Sequence, residues 1–231
     1  MPAHNEQDYL EAAVTMVVIG LRARRERFEV VVCENGSTDD TAALAGRIAG
    51  RFPEVRALSC PTADYGRALR TGFLTAQGDI VVNFDVDLID LGFLDAGVAL
   101  VDRRDGPAVV VASKRGPGAQ DNRSLGRRLV TAVFSAILRH GFGLSVTDTH
   151  GMKVTRRADL AGVVQACRFG ADLFDTEMIL RAEMAGLSVA ELPVTVRDTR
   201  PPRTPIMTRI PRSLAGLVRL RLALWRERST A

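Results

Sequence analysis

Two carboxylates two residues apart, Asp85-Val86-Asp87, end the apolar run Ile80-Val81-Val82-Asn83-Phe84. On an extended chain alternate side chains leave the same face, so this spacing would set both carboxylates side by side where a strand leaves the carboxyl edge of a sheet. Two hard oxygen ligands there suit Mg²⁺ or Mn²⁺ bridged to a diphosphate. The plainer reading is that Asp85 and Asp87 cap the next turn or helix, and the pair alone does not separate the two. Acids recur downstream at Asp148, beside His150, and at Asp172, Asp175 and Glu177, where a charged helix face is the simple account. Among 31 basic residues only Lys114 and Lys153 are lysine. The planar guanidinium fork matches phosphate, although codon usage in a GC-rich genome explains the count by itself.

The elements that must hold these residues follow from periodicity. Residues 10–25 read as a helix and 28–33 as a buried strand. Ser37-Thr38-Asp39-Asp40 resembles a capping box for a helix reaching about residue 51. Then come a strand (55–60), a helix (65–77), a strand (79–84), a helix (91–103) and a strand (108–112). This alternation predicts an α/β fold, a mostly parallel sheet with helices on both faces. An Arg/Gly-rich loop (114–126) precedes helices at 124–140 and 172–185, which flank short strands at 151–154 and 189–196. Prolines 201, 202 and 205 exclude regular structure between 198 and 205, and 206–228 is helical and basic. The division expected is one domain over 1–198 and a Pro/Arg loop with a basic amphipathic helix over 199–231.

With 231 residues, 46% apolar and 25% charged, the chain can bury a core and is neither disordered nor fibrous. Its longest apolar stretches fall short of the ~20 residues of a membrane span. No signal peptide is expected, and Cys33, Cys60 and Cys167 form no CxxC pair, so a reducing cytoplasm is the expected compartment. One Trp and two Tyr give no stacking platform for nucleic acid.

Four segments arrive in an order and spacing that resemble family 2 glycosyltransferases of the GT-A fold: Pro2-Ala3-His4-Asn5-Glu6, Glu34-Asn35-Gly36-Ser37-Thr38-Asp39-Asp40, Tyr65-Gly66-Arg67, and Asp85-Val86-Asp87. The likeness covers roughly residues 1 to 198. Within the family, Ala76-Gln77-Gly78-Asp79, Asp148-Thr149-His150-Gly151-Met152-Lys153 and Glu191-Leu192-Pro193-Val194 are similar to polyprenyl (dolichyl) phosphate mannosyl- or glucosyltransferases. The resemblance implies that Pro2, Ala3, Asn5, Glu6, Glu34, Asn35, Ser37 and Arg67 belong to the donor-nucleotide site, with Asp85 and Val86. Asp85 and Asp87 would hold Mg²⁺ or Mn²⁺, with His150 as a third ligand, as in related enzymes that make glucosyl-3-phosphoglycerate. Arg115 and Arg127 would neutralise phosphate, Asp148, Asp175 and Glu177 would be acceptor-side acids, and Arg200 and Arg203 would form a basic phosphate lid.

The chain departs from the family in three places. Glu34-Asn35 stands where the family has two aspartates, a Gly-x-Ser-Lys element is replaced by the proline-rich loop, and Met1 sits where a buried strand should precede Pro2. A strand upstream of Pro2 is therefore expected. The implied reaction is an inverting transfer from a GDP-mannose or UDP-glucose type donor. An ionised lipid phosphate acceptor needs no general base, whereas an alcohol acceptor would need Asp148 or Asp175. Two alternatives stay open: a small soluble acceptor such as 3-phosphoglycerate, and an inactive scaffold. A pyrophosphorylase is disfavoured because no Gly-rich phosphate loop is present. Ile206, Ile210, Leu214, Leu217, Val218 and Trp225 recur at helical spacing with arginines mostly off the stripe. Such a helix would lie on the membrane surface, pack on the domain, or join a second subunit.

Overall fold

The computed structural model describes residues 1–116, 118–122, 124–170, 173–196 and 206–230, without the side chains of 127, 206–210, 212 and 228–230. Arg200 and Arg203 of the expected phosphate lid lie outside the described residues, and so does the side chain of Arg127.

The expected α/β alternation is present. A parallel three-stranded sheet of order β1-β2-β3 is built from Pro2–Ala3, Val30–Asn35 and Val55–Cys60. A four-stranded sheet of order β4-β7-β5-β8 comprises Ile80–Asn83, Lys153–Arg156, Val109–Ser113 and Val189–Pro193. Within it β7 is antiparallel to both neighbours, so the arrangement is parallel apart from that one strand. The short strands β6 (Gln120–Asp121) and β9 (Thr195–Val196) pair beside it. Their pairing corrects two expectations, an unbroken strand over 189–196 and a plain loop over 114–126. The chain breaks at Val194, whose amide donates to Ser113 O while its carbonyl accepts from Gln120 N.

β5 shows why this run of small β-branched residues is a strand. Val109 and Val111 enter one core and Val110 and Ala112 the other, so period 2 buries both faces. The first core takes the apolar sides of α1 (Leu10–Ala23), α2 (Thr41–Arg51) and α4 (Leu91–Val101). The second takes those of α5 (Leu125–Phe142), α6 (Arg157–Ala166), α7 (Phe174–Met184) and α8 (Ile206–Thr230). Helix α6 was not expected, although Leu160, Val163 and Val164 carry the i, i+3, i+4 spacing and are buried. Helix α3 (Tyr65–Thr75) begins at Asp64, whose carboxylate accepts from Arg67 N at 2.9 Å; Asp90 caps α4 in the same way. Helix α2 starts at Thr41, whose amide donates to the Asp39 carboxylate at 3.0 Å, while Ser37 accepts instead from Asn5 N.

Helix α8 splits the stripe read from its sequence. Leu217, Leu220 and Leu224 are buried in the second core, while Leu214, Val218, Leu222 and Trp225 are exposed. No helix is long and apolar enough to cross a membrane among the described residues. Since Leu220 is wholly buried, Leu220→Ala is expected to cost about 2–5 kcal/mol and to lower Tm by roughly 5 °C or more, read by calorimetry. An unchanged Tm would show that α8 does not hold this core together.

Candidate active site

The carboxyl edge of β2 and the loop after β1 are tied into one rim. Asn5 adopts the left-handed conformation at φ 53°, its amide donates to Ser37 Oγ at 3.1 Å, and its Oδ1 accepts from Thr38 N at 2.8 Å. Glu6 N donates to Thr41 Oγ1 at 2.7 Å, and Gly36 turns at φ +58° against the backbone of Thr62 and Ala63, where any side chain would collide. Glu34 and Asn35 do not face outward from this rim. Glu34 is 4% exposed, with one carboxylate oxygen accepting from Ser37 N and the other from Ser59 Oγ. Asn35 is 3% exposed and donates to Ala3 O. Pro2 and Ala3 are likewise buried in β1. The side chains of these four residues build the rim from behind. His4, Asn5, Glu6 and Ser37 are partly exposed on it, and Arg67 is exposed at the start of α3.

The Asp85-Val86-Asp87 segment is not extended. Leu88 N donates to Asp85 O at 3.1 Å, so residues 85–88 form a tight turn immediately after β4. Val86 points into the first core, leaving only its backbone for a ligand, while Asp85 is partly exposed and Asp87 exposed. Tyr65 Oη donates to Asp85 Oδ1 at 2.9 Å. Removal from water, and then the nearby Asp175 carboxylate, push the Asp85 carboxyl above its usual value, and Lys153 opposes this. The same burial, with Asp85, pushes the Tyr65 phenol well above its ordinary value.

Beneath this turn lies a charge pair that sequence reasoning missed. Lys153 is 2% exposed, and its Nζ donates to Asp175 Oδ1 at 2.6 Å and to Gly151 O at 2.9 Å. The available signal was a lysine between Met152 and Val154 in a strand. A charged residue in a buried strand must be paired. Thr176 and Thr149 join α7 to the loop ahead of β7 through their hydroxyls, 2.9 Å apart.

That loop carries Asp148. Its carboxylate accepts from His150 N at 3.0 Å and lies 3.2 Å from Lys114 Nζ, and it is 6% exposed. Glu191 Oε1 holds the loop by accepting from Thr147 N, Thr147 Oγ1 and Asp148 N, a role not read from its sequence position. A Cβ on Gly151, at φ +100°, would lie 3.5 Å from Lys114 Nζ and 3.9 Å from Leu88 Cδ2, so the Lys114–Asp148 pair borders the 85–88 turn. Arg115 is exposed next to Lys114.

Two expectations fail at this site. Glu177 has no exposed surface: it accepts from Arg168 N, Phe169 N and Arg181 Nε, and Arg181 in turn pairs with Glu227 of α8. It fastens the 168–169 loop and, through Arg181, α8, and presents no surface to an acceptor in this structure. The His150 ring lies edge-on to Phe134 and beside Thr149 Oγ1, and no three His, Cys, Asp or Glu side chains converge on a metal position among the described residues. The three-residue shell of Asp85, Asp87 and His150 is therefore not assembled. Asp85 and Asp87 remain, and they fit a divalent ion that keeps waters and takes its other ligands from substrate phosphates.

Residues 1–163 match Glycosyl transferase family 2. An uncharacterised glycosyltransferase of Mycobacterium tuberculosis is 34% identical over 230 residues, covering 98% of this chain and 94% of the relative. A dolichyl-phosphate β-glucosyltransferase of Trichomonas vaginalis is 23% identical, over 84% of this chain and 63% of its own length. Among solved structures, the chain is similar to glucosyl-3-phosphoglycerate synthase of M. tuberculosis in complex with Mn²⁺, uridine diphosphate and phosphoglyceric acid. That match has a TM-score of 0.59 and 24% identity, and it covers 87% of this chain and 69% of the other.

Proposed function

The chain belongs to glycosyl transferase family 2, and on that premise we propose that it moves a hexose from a nucleoside diphosphate sugar to a polyprenyl phosphate, with inversion at the anomeric carbon. Asp85 and Asp87 would hold Mg²⁺ or Mn²⁺, whose positive charge would offset that of the diphosphate leaving group. The rim of Asn5, Glu6 and Ser37 receives the nucleoside, and Lys114 and Arg115 face the phosphates. Arg127, Arg200 and Arg203 belong to this proposal as further phosphate contacts.

One observation carries the choice of acceptor. Asp148 and Asp175 are the two carboxylates expected to deprotonate an alcohol, and each is nearly enclosed and ion-paired, to Lys114 and to Lys153. Held this way, neither is open to an acceptor hydroxyl as a general base. A phosphate acceptor is already ionised and requires none. The test is transfer of labelled sugar from UDP-glucose and from GDP-mannose, with Mn²⁺, to polyprenyl phosphate in detergent or to 3-phosphoglycerate. Lipid-extractable label is expected. Label confined to the aqueous phosphoglycerate product would replace the acceptor, the second reading that the structural neighbour favours. Failure to bind either nucleotide with Mn²⁺ in calorimetry would leave an inactive scaffold.

A lipid acceptor is consistent with a peripheral place on the cytoplasmic membrane face through α8. Leu214, Val218, Leu222 and Trp225 are exposed at helical spacing beside exposed Arg219 and Arg226. The paired substitution Leu222→Glu and Trp225→Glu should lower co-sedimentation with anionic vesicles about tenfold or more, since each buried apolar side chain is worth ~1.5 kcal/mol or more. Tm should hold within about 2 °C, because both positions are on the surface. Equal sedimentation of the two proteins would remove the membrane role and leave the exposed face to a second subunit.

A further inference from the structure

Helix α5 carries apolar residues on two opposite faces. Inward, Leu138 is buried, and Phe134 and Ile137 are partly buried against the second core. The same side holds the 147–150 loop: Ser135 Oγ donates to Thr147 O, and the Phe134 ring meets that of His150 edge-on. Outward, Leu125, Leu129 and Val133 are 77%, 66% and 52% exposed, and they follow one another at i, i+4 spacing with exposed Ala136 beside them. A helix that is apolar on opposite faces is ordinarily enclosed. The outer stripe is therefore fitted to a cover that the described residues do not supply.

Charge decides between the possible covers. No acid occurs in the sequence between Asp121 and Asp148, whereas α5 contains Arg127, Arg128, Arg139 and His140. Arg128 and Arg139 are exposed, and at 3.6 residues per turn both fall along one margin of the apolar stripe. The α5 of a second copy would bring the same cations to this face with no acid to pair them, and juxtaposed like charges are costly. An anionic lipid surface accommodates both parts, because the apolar side chains enter the acyl boundary while the guanidinium groups stay among the headgroup phosphates. The helix is not long and apolar enough to cross a bilayer, so it would lie in the plane of the interface.

We infer that the outer face of α5 is a lipid-docking surface for an anionic membrane, separate from the α8 contact proposed above. A docked α5 would stand between the lipid and the loop that carries Asp148, holding that loop about one helix diameter, ~10 Å, from the headgroups. Docking requires no donor, metal or particular acceptor. Vesicle binding and sugar transfer therefore fail independently.

The first test places a reporter on α5. Trp225 is the single Trp, so Trp225→Phe with Leu129→Trp leaves one indole, on the outer face. Its emission should shift to the blue, and brominated lipid should quench it, on vesicles of phosphatidylcholine with about one third phosphatidylglycerol. In the second test, Leu129→Glu with Val133→Glu should lower co-sedimentation of the full chain with these vesicles about tenfold or more. Tm should stay within about 2 °C, since both side chains face away from the core. Arg128→Gln with Arg139→Gln should weaken binding to the anionic vesicles about tenfold or more and leave binding to pure phosphatidylcholine unchanged. An indole that brominated lipid does not quench overturns the inference. So does full sedimentation of the Glu pair, which would assign any membrane contact to α8 alone. A wild type that is dimeric by light scattering and becomes monomeric in the Glu pair would show that a second copy covers α5. A fall in Tm of several degrees in the Glu pair would show that the stripe is packed within the protein, and the inference fails.

Discussion

Asp85→Asn is expected to abolish sugar transfer while making the metal-free protein slightly more stable at neutral pH. A metal ligand supplies several kcal/mol of transition-state stabilisation, so kcat should fall by about a thousandfold or more. The stability effect has the opposite sign because burial and Asp175 raise the Asp85 carboxyl above its usual value. A carboxyl with a raised pKa in the fold binds a proton that the unfolded chain has released. Folding stability therefore falls as pH rises from the ordinary carboxylate pKa of about 3.9 through the raised value, and at neutral pH the ionised group carries that cost. The amide keeps an acceptor for Tyr65 Oη and removes the charge. Melting curves in EDTA should show Asn above wild type at pH 7 and the two converging below about pH 4. With Mn²⁺ and uridine diphosphate the order should reverse, since only wild type gains from ligand binding. Full activity in Asp85→Asn would end the metal reading, and a lower Tm at pH 7 in EDTA would show that the carboxylate is a structural anchor.

Lys153→Met should produce the largest loss of stability from one substitution. It strands Asp175, 3% exposed, without the partner that now donates to it at 2.6 Å. Breaking a buried pair costs about 3–5 kcal/mol, which for a chain of this size lowers Tm by roughly 10 °C. Replacing both members, Lys153→Met with Asp175→Leu, leaves no uncompensated charge and should recover most of that Tm. Thermal denaturation at low and high salt separates this from a surface pair, because a buried pair is screened little by salt. If Lys153→Met melts with wild type, water reaches the pair and the enclosed geometry is not maintained in solution.

Apart from α6 and the β6–β9 pair, the order of strands and helices was legible because their patterns are local. Val109, Val110, Val111 and Ala112 must be a strand buried on both faces, and Asp64 and Asp90 mark where α3 and α4 begin. The candidate metal ligands were legible for the same reason, since Asp85 and Asp87 follow an apolar strand in the sequence itself. Other features depended on contacts between distant residues. Glu177 reads as an exposed acid until the 168–169 amides and Arg181 close around it, and the partner that Lys153 needs in its strand is identified only when α7 brings Asp175 to it. In the tail, the helical period alone cannot tell Leu217 from Val218, because both are apolar and adjacent and differ only in direction. The second core decided between them, burying Leu217 and leaving Val218 exposed. The sequence by itself thus determined which residues can ionise, ligate or start a helix, properties of a residue and its near neighbours. Tertiary structure alone decided which of those groups keep water and which lose it, because burial is set by residues tens to hundreds of positions away.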